Sequence, residues 1–305
     1  MPRSCTLALD IGGTKIAYAL VPDDSPEITL GTGRVRTQGA GLSPLEQTRT
    51  ALEAGVREAS TLGVEITRVG MGAPGVVRAP AGEITYNGET IRGWAGTDLR
   101  GLVSETIGVP CAAHNDVRVW AYGEHLLGVG AHQHLEGRVL YVSLGTGVGG
   151  AIIDKGHLLS GPTSTAGEFA EIICADHAGK AIRCENVASG TGLSNYYNTA
   201  AHTELTLPEI MERWHAGEAR ARTIITGNLT GFGRCLGALV TALDLSAVVL
   251  GGGVAGIGAP VIDPIRAGIS QTALIPNRGV RVFTTELGVD AAVIAAAQYA
   301  RDHAF

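Results

Sequence analysis

Two glycine-rich turns constrain the fold of this chain more than any other feature. The first reads DIGGTK over Asp10–Lys15, and the second reads SLGTGVGG over Ser143–Gly150. Each lies between two short apolar runs, an arrangement typical of β-hairpins. The runs are Thr6–Asp10 and Ile16–Val21 for the first turn, and Arg138–Leu144 and Ala151–Asp154 for the second. The turns lie roughly 135 residues apart, which is too far for a solenoid repeat. The sequence therefore predicts two similar domains, each opening with a strand, a glycine turn and a strand.

Strand-like and helix-like segments alternate along the rest of the chain. After Ser43-Pro44, apolar residues recur at roughly helical spacing as far as Leu62, and a strand-like run follows at Ile66–Met71. This alternation predicts an α/β protein in which mixed sheets are flanked by helices. We expect the first domain to comprise residues 1–117 with a C-terminal helix at about 290–305, and the second to comprise residues 118–289.

Composition excludes several partners and compartments. The net charge is -6 and no basic stripe is present, which argues against nucleic acid as a partner. The five cysteines stand far apart without a CxxC pair, which is typical of a reducing cytoplasm. The uncharged run Leu245–Ile262 is rich in glycine, so it predicts a buried strand, a glycine loop and the start of a helix instead of a membrane span. The apolar stretch Leu7–Leu9 stops at Asp10, so we also expect no signal peptide.

The glycine turns suit the binding of phosphate groups. Paired glycines expose backbone N–H groups and let a phosphate come close, while Thr14 and Lys15 add a hydroxyl and a cation. Asp10, at the end of a predicted strand, would hold Mg²⁺ directly or through water. A second turn facing the first across a cleft would explain the cluster of glycines in Ser143–Gly150. The alternatives are a hairpin turn with an aspartate cap, a β-bulge, or close packing of strands.

Two further segments carry chemistry. The sequence VVLGGG over Val248–Gly253 ends a predicted buried strand, where ligands of open α/β sheets bind; it would receive adenosine, or it serves tight helix–strand packing. Asn115 and Asp116 follow an apolar strand and precede a helix. Asp116 is either the N-cap of that helix or a general base that takes the proton of an attacking sugar hydroxyl. In the second case Asn115 would hydrogen-bond a neighbouring hydroxyl.

The ordered set of motifs resembles the ROK family of sugar kinases and repressors. The motifs, over about residues 5 to 300, are DIGGTK, GAPG at Gly72–Gly75, RGW at Arg92–Trp94, HND at His114–Asp116, SLGTGVGG, GE at Gly167–Glu168, and VVLGGG. The resemblance implies an actin-like, ribonuclease-H-like two-domain ATPase fold, each domain a mixed sheet flanked by helices. It also implies ATP and Mg²⁺ as cofactors, a small sugar or sugar-like substrate, and a homodimer.

The resemblance implies a role for each matching position. Asp116 would be the catalytic base, and Asp10 would hold Mg²⁺, directly or through water. The residues implied in ATP binding are Asp10, Gly12, Gly13, Thr14, Lys15, Thr146, Gly147, Gly252 and Gly253. Those implied in substrate binding are Gly75, Asn87, Asn115, Glu168, Glu171 and Glu185. The implied function is phosphorylation of a hydroxyl of a hexose-like molecule, either a glucose-type sugar, an amino sugar or a cyclitol.

One segment departs from the family pattern. Many members carry a zinc site made of a histidine and three cysteines, whereas here Glu171 occupies the histidine position and Arg183 stands for the third cysteine. A closed structural zinc site needs four nitrogen or sulfur ligands, so we expect no zinc. A carboxylate only accepts hydrogen bonds, so Glu171 favours a ligand with an extra donor, such as an amino sugar, or a cyclitol. The alternative is that Glu171 points to solvent or pairs with Arg183.

Three other functions fit parts of the pattern. A sugar-responsive repressor of the same family would carry a DNA-binding helix-turn-helix before the kinase-like core, yet the first predicted strand begins at about residue 5. A catalytically inactive sugar-binding or sugar-sensing protein would not need Asp10, Lys15 and Asp116. A different actin-like ATPase is disfavoured by the Asn115–Asp116 and Gly167–Glu168 pairs. An ATP-dependent sugar kinase is therefore the predicted function.

Overall fold

The computed structural model describes residues 2–88 and 90–305, which divide into two units. The first unit contains the chain up to Gln133 together with Ser160–Ala166 and Glu286–Phe305. The second unit contains His134–Leu159 and Gly167–Thr285.

Strands and helices alternate as the sequence predicts. The strands, in chain order, are β1 (Arg3–Ile11), β2 (Lys15–Pro22), β3 (Gly31–Arg36), β4 (Val64–Ala73), β5 (Val76–Arg78), β6 (Glu83–Tyr86), β7 (Cys111–Asn115), β8 (Arg138–Leu144), β9 (Val148–Asp154), β10 (His157–Leu158), β11 (Ile173–Ala175), β12 (Ala181–Arg183), β13 (Ala247–Gly251) and β14 (Arg281–Thr284). The helices are α1 (Pro44–Leu62), α2 (Leu99–Thr106), α3 (Asp116–Leu126), α4 (Val129–His132), α5 (Glu185–Ala188), α6 (Gly190–Ala201), α7 (Leu207–His215), α8 (Ala219–Leu243), α9 (Gly252–Ala255), α10 (Ala259–Thr272) and α11 (Ala291–His303).

The sheet of the first unit has the strand order β3-β2-β1-β4-β7. β1, β2 and β3 pair antiparallel, whereas β4 and β7 continue the sheet in parallel with β1. The DIGGTK turn joins β1 to β2, so the predicted hairpin is confirmed. Residues Cys5–Leu9 of β1 are all buried, which explains why this strand is nearly continuously apolar.

The second unit repeats this arrangement with the order β10-β9-β8-β13-β14. β8, β9 and β10 pair antiparallel, and β13 and β14 extend the sheet in parallel with β8. Both units therefore open with a strand, a glycine turn and a strand, as predicted. The run Leu245–Ile262 contains β13, α9 and the start of α10, also as predicted. Within the described residues, no helix has the length and apolar character needed to cross a membrane.

Each unit has an apolar core of its own. In the first unit, Leu7 and Leu9 of β1 pack with Leu52 of α1, and all three are fully buried. In the second unit, Phe232 of α8 and Ile265 of α10 are part of a separate buried cluster. Burying one such side chain contributes about 1.5–3 kcal/mol, so each core stabilises its own unit.

The first unit continues beyond the predicted boundary at 117 because α3 packs against the C-terminal helix α11. Gly123 of α3 lies so close to Ala295 that a side chain at position 123 would overlap it. The hydroxyl of Tyr122 donates a hydrogen bond to Oδ2 of Asp302 at 2.8 Å. These contacts join residues far apart in the sequence and place α3 in the first unit.

Helices α8 and α10 pack closely because glycines lie where they meet. A Cβ atom on Gly268 would overlap the main-chain oxygen of Thr230, and one on Gly233 would overlap that of Ile265. The two helices therefore approach at the distance that their backbones permit.

We expect Gly268→Ala to lower the free energy of unfolding by about 1–3 kcal/mol, because the added methyl group must push α10 away from α8. Gly279→Ala is the matched control, since a Cβ atom at Gly279 meets nothing within 4 Å. Urea unfolding of both variants and the wild type measures the difference. Equal midpoints for Gly268→Ala and the wild type would contradict the close packing.

Candidate functional site

The first glycine turn is held by residues just beyond β3. The N–H of Gly12 donates to the carbonyl of Lys15 at 2.9 Å and closes the turn. The Thr37 hydroxyl donates to the carbonyl of Gly12 at 2.6 Å, and the Thr37 N–H donates to the carbonyl of Thr14 at 3.0 Å. The side chains of Thr14 and Lys15 are exposed. The backbone of the turn is thus fixed, while a hydroxyl and an ammonium group remain accessible to a ligand.

Asp10 lies in β1, close to the start of this turn. Its backbone pairs with Gly72 of β4 on one side and with Ala17 of β2 on the other. Burial raises the pKa of the Asp10 carboxyl, and the charge of Lys15 partly offsets this effect. Among the residues that the structure describes, none donates a hydrogen bond to this carboxylate. Its oxygens therefore remain available to a metal ion or to a metal-bound water, as Mg²⁺ sites require.

Asn115 ends β7 and caps helix α3, which begins at Asp116. The Asn115 side-chain oxygen accepts hydrogen bonds from the N–H groups of Val117 and Arg118 at 3.1 and 3.2 Å. Its amide nitrogen donates to the carbonyl of Gly75 at 3.1 Å. The alternative that Asp116 is the N-cap is therefore wrong, because Asn115 already satisfies these N–H groups. Asp116 occupies the first turn of the helix, where the helix dipole favours a negative charge.

The GAPG motif allows the backbone to crowd around Asp116. A Cβ atom on Gly72 would lie 3.2 Å from the Cα atom of Asp116, so β4 and the start of α3 are in close contact. Gly75 has a φ of +97°, and a Cβ atom there would lie 2.5 Å from the carbonyl oxygen of Tyr86. Gly75 is thus required by packing and adds a carbonyl acceptor for Asn115, while Gly72 keeps β4 and α3 in tight contact.

His114 precedes this pair as a buried neutral ring. Its Nδ1 accepts a hydrogen bond from the Asn115 N–H at 2.8 Å, which leaves Nε2 as the N–H that faces Oγ of Ser160 at 3.3 Å. Burial lowers the pKa of His114 to about 3, and the charge of Arg118 acts in the same direction. At neutral pH the ring therefore supports the backbone that carries Asn115 and Asp116.

A cavity of about 480 Å³ lies in the first unit beside the RGW motif. It is lined by Asn87, Gly88 and the segment Ile91–Ala95. Nδ2 of Asn87 donates to the carbonyls of Ile91 and Gly88 at 2.6 and 2.9 Å, whereas its Oδ1 is buried without a partner among the described residues. The Trp94 indole N–H is likewise buried without a hydrogen-bond partner among the described residues. The residues lining this cavity thus include one unsatisfied acceptor and one unsatisfied donor.

The second glycine turn is closed in a similar way. The N–H of Gly145 donates to the carbonyl of Gly147 at 3.0 Å, and the N–H of Gly190 in α6 donates to the carbonyl of Gly145 at 2.8 Å. Oε2 of Glu185 accepts a hydrogen bond from the Val148 N–H at 3.1 Å. Glu185, which the resemblance assigns to the sugar, therefore also anchors the turn assigned to phosphate.

The glycines of the second unit differ in what the fold requires of them. Gly252 has a φ of +85°, and a Cβ atom there would lie 2.5 Å from the carbonyl oxygen of Leu144. At Gly147 a Cβ atom would meet a carboxylate oxygen at 2.6 Å. In contrast, a Cβ atom on Gly145 or Gly253 would meet no atom within 4 Å. Packing therefore does not require a glycine at either position, and a side chain there would project into open space. The sequence analysis did not name Gly145 as a candidate, although it lies within SLGTGVGG.

The carboxylates Glu168 and Glu171 lie at either side of a short turn in the second unit. Gly167 has a φ of +102° and lets this segment lie directly on β9, where Phe169 is buried. The Glu171 carboxylate forms an ion pair with the guanidinium of Arg183. This is the alternative left open by the sequence, and it means that the charge of Glu171 is already compensated.

The predicted site residues fall into two groups, one in each unit. The first unit contains Asp10, Gly12, Gly13, Thr14, Lys15, Gly75, Asn87, Asn115 and Asp116; the second contains Thr146, Gly147, Glu168, Glu171, Glu185, Gly252 and Gly253. In the part of the chain that the structure describes, no three His, Cys, Asp or Glu residues are grouped as metal ligands. Magnesium bound with a nucleotide needs only one or two carboxylates besides phosphates and water, and Asp10 is the carboxylate that the sequence predicts for this role.

We expect stability to fall as the pH drops from 7 to 5, because burial keeps the pKa of His114 near 3 against an ordinary value of 6.5. Below pH 6.5 the unfolded chain gains a proton that the folded chain does not, at about 1.4 kcal/mol per pH unit. This amounts to roughly 2 kcal/mol at pH 5. His114→Gln should lose less stability over this range, whereas the exposed control His157→Gln should behave as the wild type. Thermal unfolding across pH measures both, and identical slopes for His114→Gln and the wild type would contradict the prediction.

Comparison with known proteins shows to which family the chain belongs. The model of the ROK family matches residues 6–303. The Glucokinase of Streptomyces coelicolor is 31% identical over 324 residues, covering 97% of this chain and 98% of that protein. An N-acetylmannosamine kinase of Escherichia coli is 29% identical over 261 residues, covering 82% and 83%. The crystal structure of a ROK family glucokinase from Streptomyces griseus in complex with glucose and AMPPNP has a TM-score of 0.78 and 29% identity, covering 98% of this chain and 99% of that one. ROK kinases have the actin-like, ribonuclease-H-like two-domain fold, so the predicted fold class is confirmed and the chain belongs to the ROK family.

Proposed function

We propose that this protein is a sugar kinase that transfers the γ-phosphoryl group of ATP to a hydroxyl of a hexose or hexose-like molecule, with Asp116 as the general base. The observation that carries the proposal is the position of Asp116 at the first turn of a capped helix, in the same unit as the DIGGTK turn. The family membership and the kinase names of the relatives support the same reaction class.

Asp116 is suited to accept a proton from an attacking hydroxyl. The N-cap bonds of Asn115 fix the backbone at the start of α3, and Oδ1 of Asp116 accepts the Val117 N–H at 3.0 Å. Proton removal by a positioned base typically contributes about 10²–10⁴-fold to the rate.

The rest of phosphoryl transfer is positioning and neutralisation of charge. In the first unit, Asp10 is the proposed ligand of Mg²⁺ or its bound water, and Lys15 carries an accessible positive charge close to the turn. In the second unit, the open backbone at Gly145 and Gly253 suits close approach of the nucleotide. Mg²⁺, when bound, would neutralise the phosphate oxygens.

The cavity beside Trp94 supports a polyhydroxylated acceptor. Asn87 and Trp94 both line this cavity of about 480 Å³, and a sugar hydroxyl can both donate and accept hydrogen bonds. The ion pair with Arg183 leaves Glu171 without the unpaired charge that would select an amino group. We therefore favour a neutral hexose or an N-acetylated sugar over a free amino sugar, with cyclitols as a further group to test. A homodimer follows from the family resemblance, and light scattering tests it.

We expect Asp116→Asn to lower sugar-dependent turnover by at least about 10²-fold, because the amide cannot take the proton. The assay measures ADP and sugar phosphate with Mg-ATP against glucose, mannose, N-acetylmannosamine, fructose, amino-glucoses and cyclitols. Asp263→Asn, an exposed aspartate of α10, is the matched control. Wild-type turnover in Asp116→Asn would overturn the assignment of the base. If the wild type forms no sugar phosphate from any of these acceptors, the proposed kinase function would be overturned.

We expect Gly253→Ala to raise the KM for ATP without changing thermal stability, because its methyl group enters open space next to the proposed nucleotide site. A clash that costs about 1.4 kcal/mol would change the affinity tenfold. Gly252→Ala is the matched comparison and should destabilise the fold by about 1–3 kcal/mol, since its φ is positive and its methyl group meets Leu144. An unchanged KM in Gly253→Ala would remove this glycine from the ATP site.

A further inference from the structure

The side chain of Gln38 links the first glycine turn to the RGW segment. Its Nε2 donates to the carbonyl of Gly13 at 2.7 Å and to the carbonyl of Thr90 at 2.8 Å. Its Oε1 accepts the N–H of Arg92 at 3.3 Å. Both amide hydrogens and the amide oxygen are therefore used, so the side chain has one favourable orientation. The reversed amide would place its oxygen against two carbonyl oxygens.

The two segments joined by Gln38 are also in direct contact. A Cβ atom on Gly13 would lie 3.0 Å from the carbonyl oxygen of Thr90 and 3.1 Å from its methyl group. The glycine at position 13 thus lets the turn approach this segment to van der Waals distance. Gln38 then holds that approach with hydrogen bonds to both sides.

The link continues to the cavity. Directly beyond Thr90, Ile91 and Arg92 line the cavity together with Trp94. The carbonyl of Ile91 accepts a hydrogen bond from Nδ2 of Asn87 at 2.6 Å. A continuous set of contacts therefore runs from the backbone of the glycine turn, through Gln38, to the residue that carries the unsatisfied cavity acceptor.

We propose that Gln38 is a positioning residue that fixes the acceptor cavity relative to the phosphate-binding turn. The inference rests on the proposed kinase function and adds to it a residue that acts through its hydrogen bonds to Gly13, Thr90 and Arg92. When the segment Thr90–Trp94 moves relative to Gly13, the acceptor hydroxyl and the γ-phosphoryl group lose their alignment. Water, which needs no cavity, then competes better as the phosphoryl acceptor.

The test is the partition of ATP between sugar and water. Gln38→Leu removes all three hydrogen bonds at similar volume, and Gln38→Glu places an acceptor against the carbonyls of Gly13 and Thr90. In both variants the ratio of sugar phosphate to ADP should fall by at least about tenfold, with a raised KM for the sugar and little change in the KM for ATP. Gln38→Glu should show the larger effect. A general loss of stability would instead lower transfer to sugar and to water together.

Gln47→Leu is the matched control, because Gln47 is half-buried in α1 of the same unit and its side-chain amide makes no hydrogen bond among the described residues. Amide hydrogen exchange adds a readout that does not depend on activity. Exchange of the Ile91 and Arg92 amides should be faster in Gln38→Leu than in the wild type and in Gln47→Leu. If both Gln38 variants keep the wild-type ratio of sugar phosphate to ADP, or show unchanged amide exchange, the role of Gln38 is overturned. The proposed kinase function is not affected by that result. If the wild type forms no sugar phosphate, both the proposed kinase function and the proposed role of Gln38 are overturned.

Discussion

Close approach of backbone segments, made possible by missing side chains, is the constraint on which the rest of this structure depends. Gly72 brings β4 against the start of α3, and Gly13 brings the first turn against Thr90. Gly268 does the same for α10 and α8 in the second unit. At Gly268 a Cβ atom would overlap backbone atoms at 2.3 Å, and at Gly72 and Gly13 it would lie only 3.0–3.2 Å from the facing segment. Packing thus favours glycine at these positions.

The candidate site combines this crowding with a small number of side-chain hydrogen bonds to the backbone. Asn115 fixes the start of α3 and the carbonyl of Gly75, and His114 holds the Asn115 N–H as a neutral acceptor. Neither residue needs to react for Asp116 to be well placed. Since each buried hydrogen bond is costly to leave unmade, these polar side chains keep the backbone of the site in one conformation.

Much of the architecture could be predicted because its signals are local. The hairpins at the two glycine turns, α1 after Ser43, and the strand before the triple glycine all have short-range signatures in apolar spacing and turn residues. The sequence analysis missed β3, whose RVR segment carries few apolar residues. It also placed the end of the first unit at 117, whereas the structure includes α3 in that unit. The packing of α3 on α11 depends on Gly123 meeting a residue near the C-terminus, and local sequence patterns do not show such a contact.

The family, the fold class and the motifs from which a phosphoryl-transfer site is expected could be predicted from the sequence, because they consist of residue types at short, ordered spacings. The folded structure was needed to show which residue caps α3, which glycines face open space, and that Glu171 pairs with Arg183. It alone brought Gln38 to Thr90. The contact of Gln38 with Thr90 and that of Gly252 with Leu144 join segments far apart in the chain, and no local spacing of residues encodes such distances.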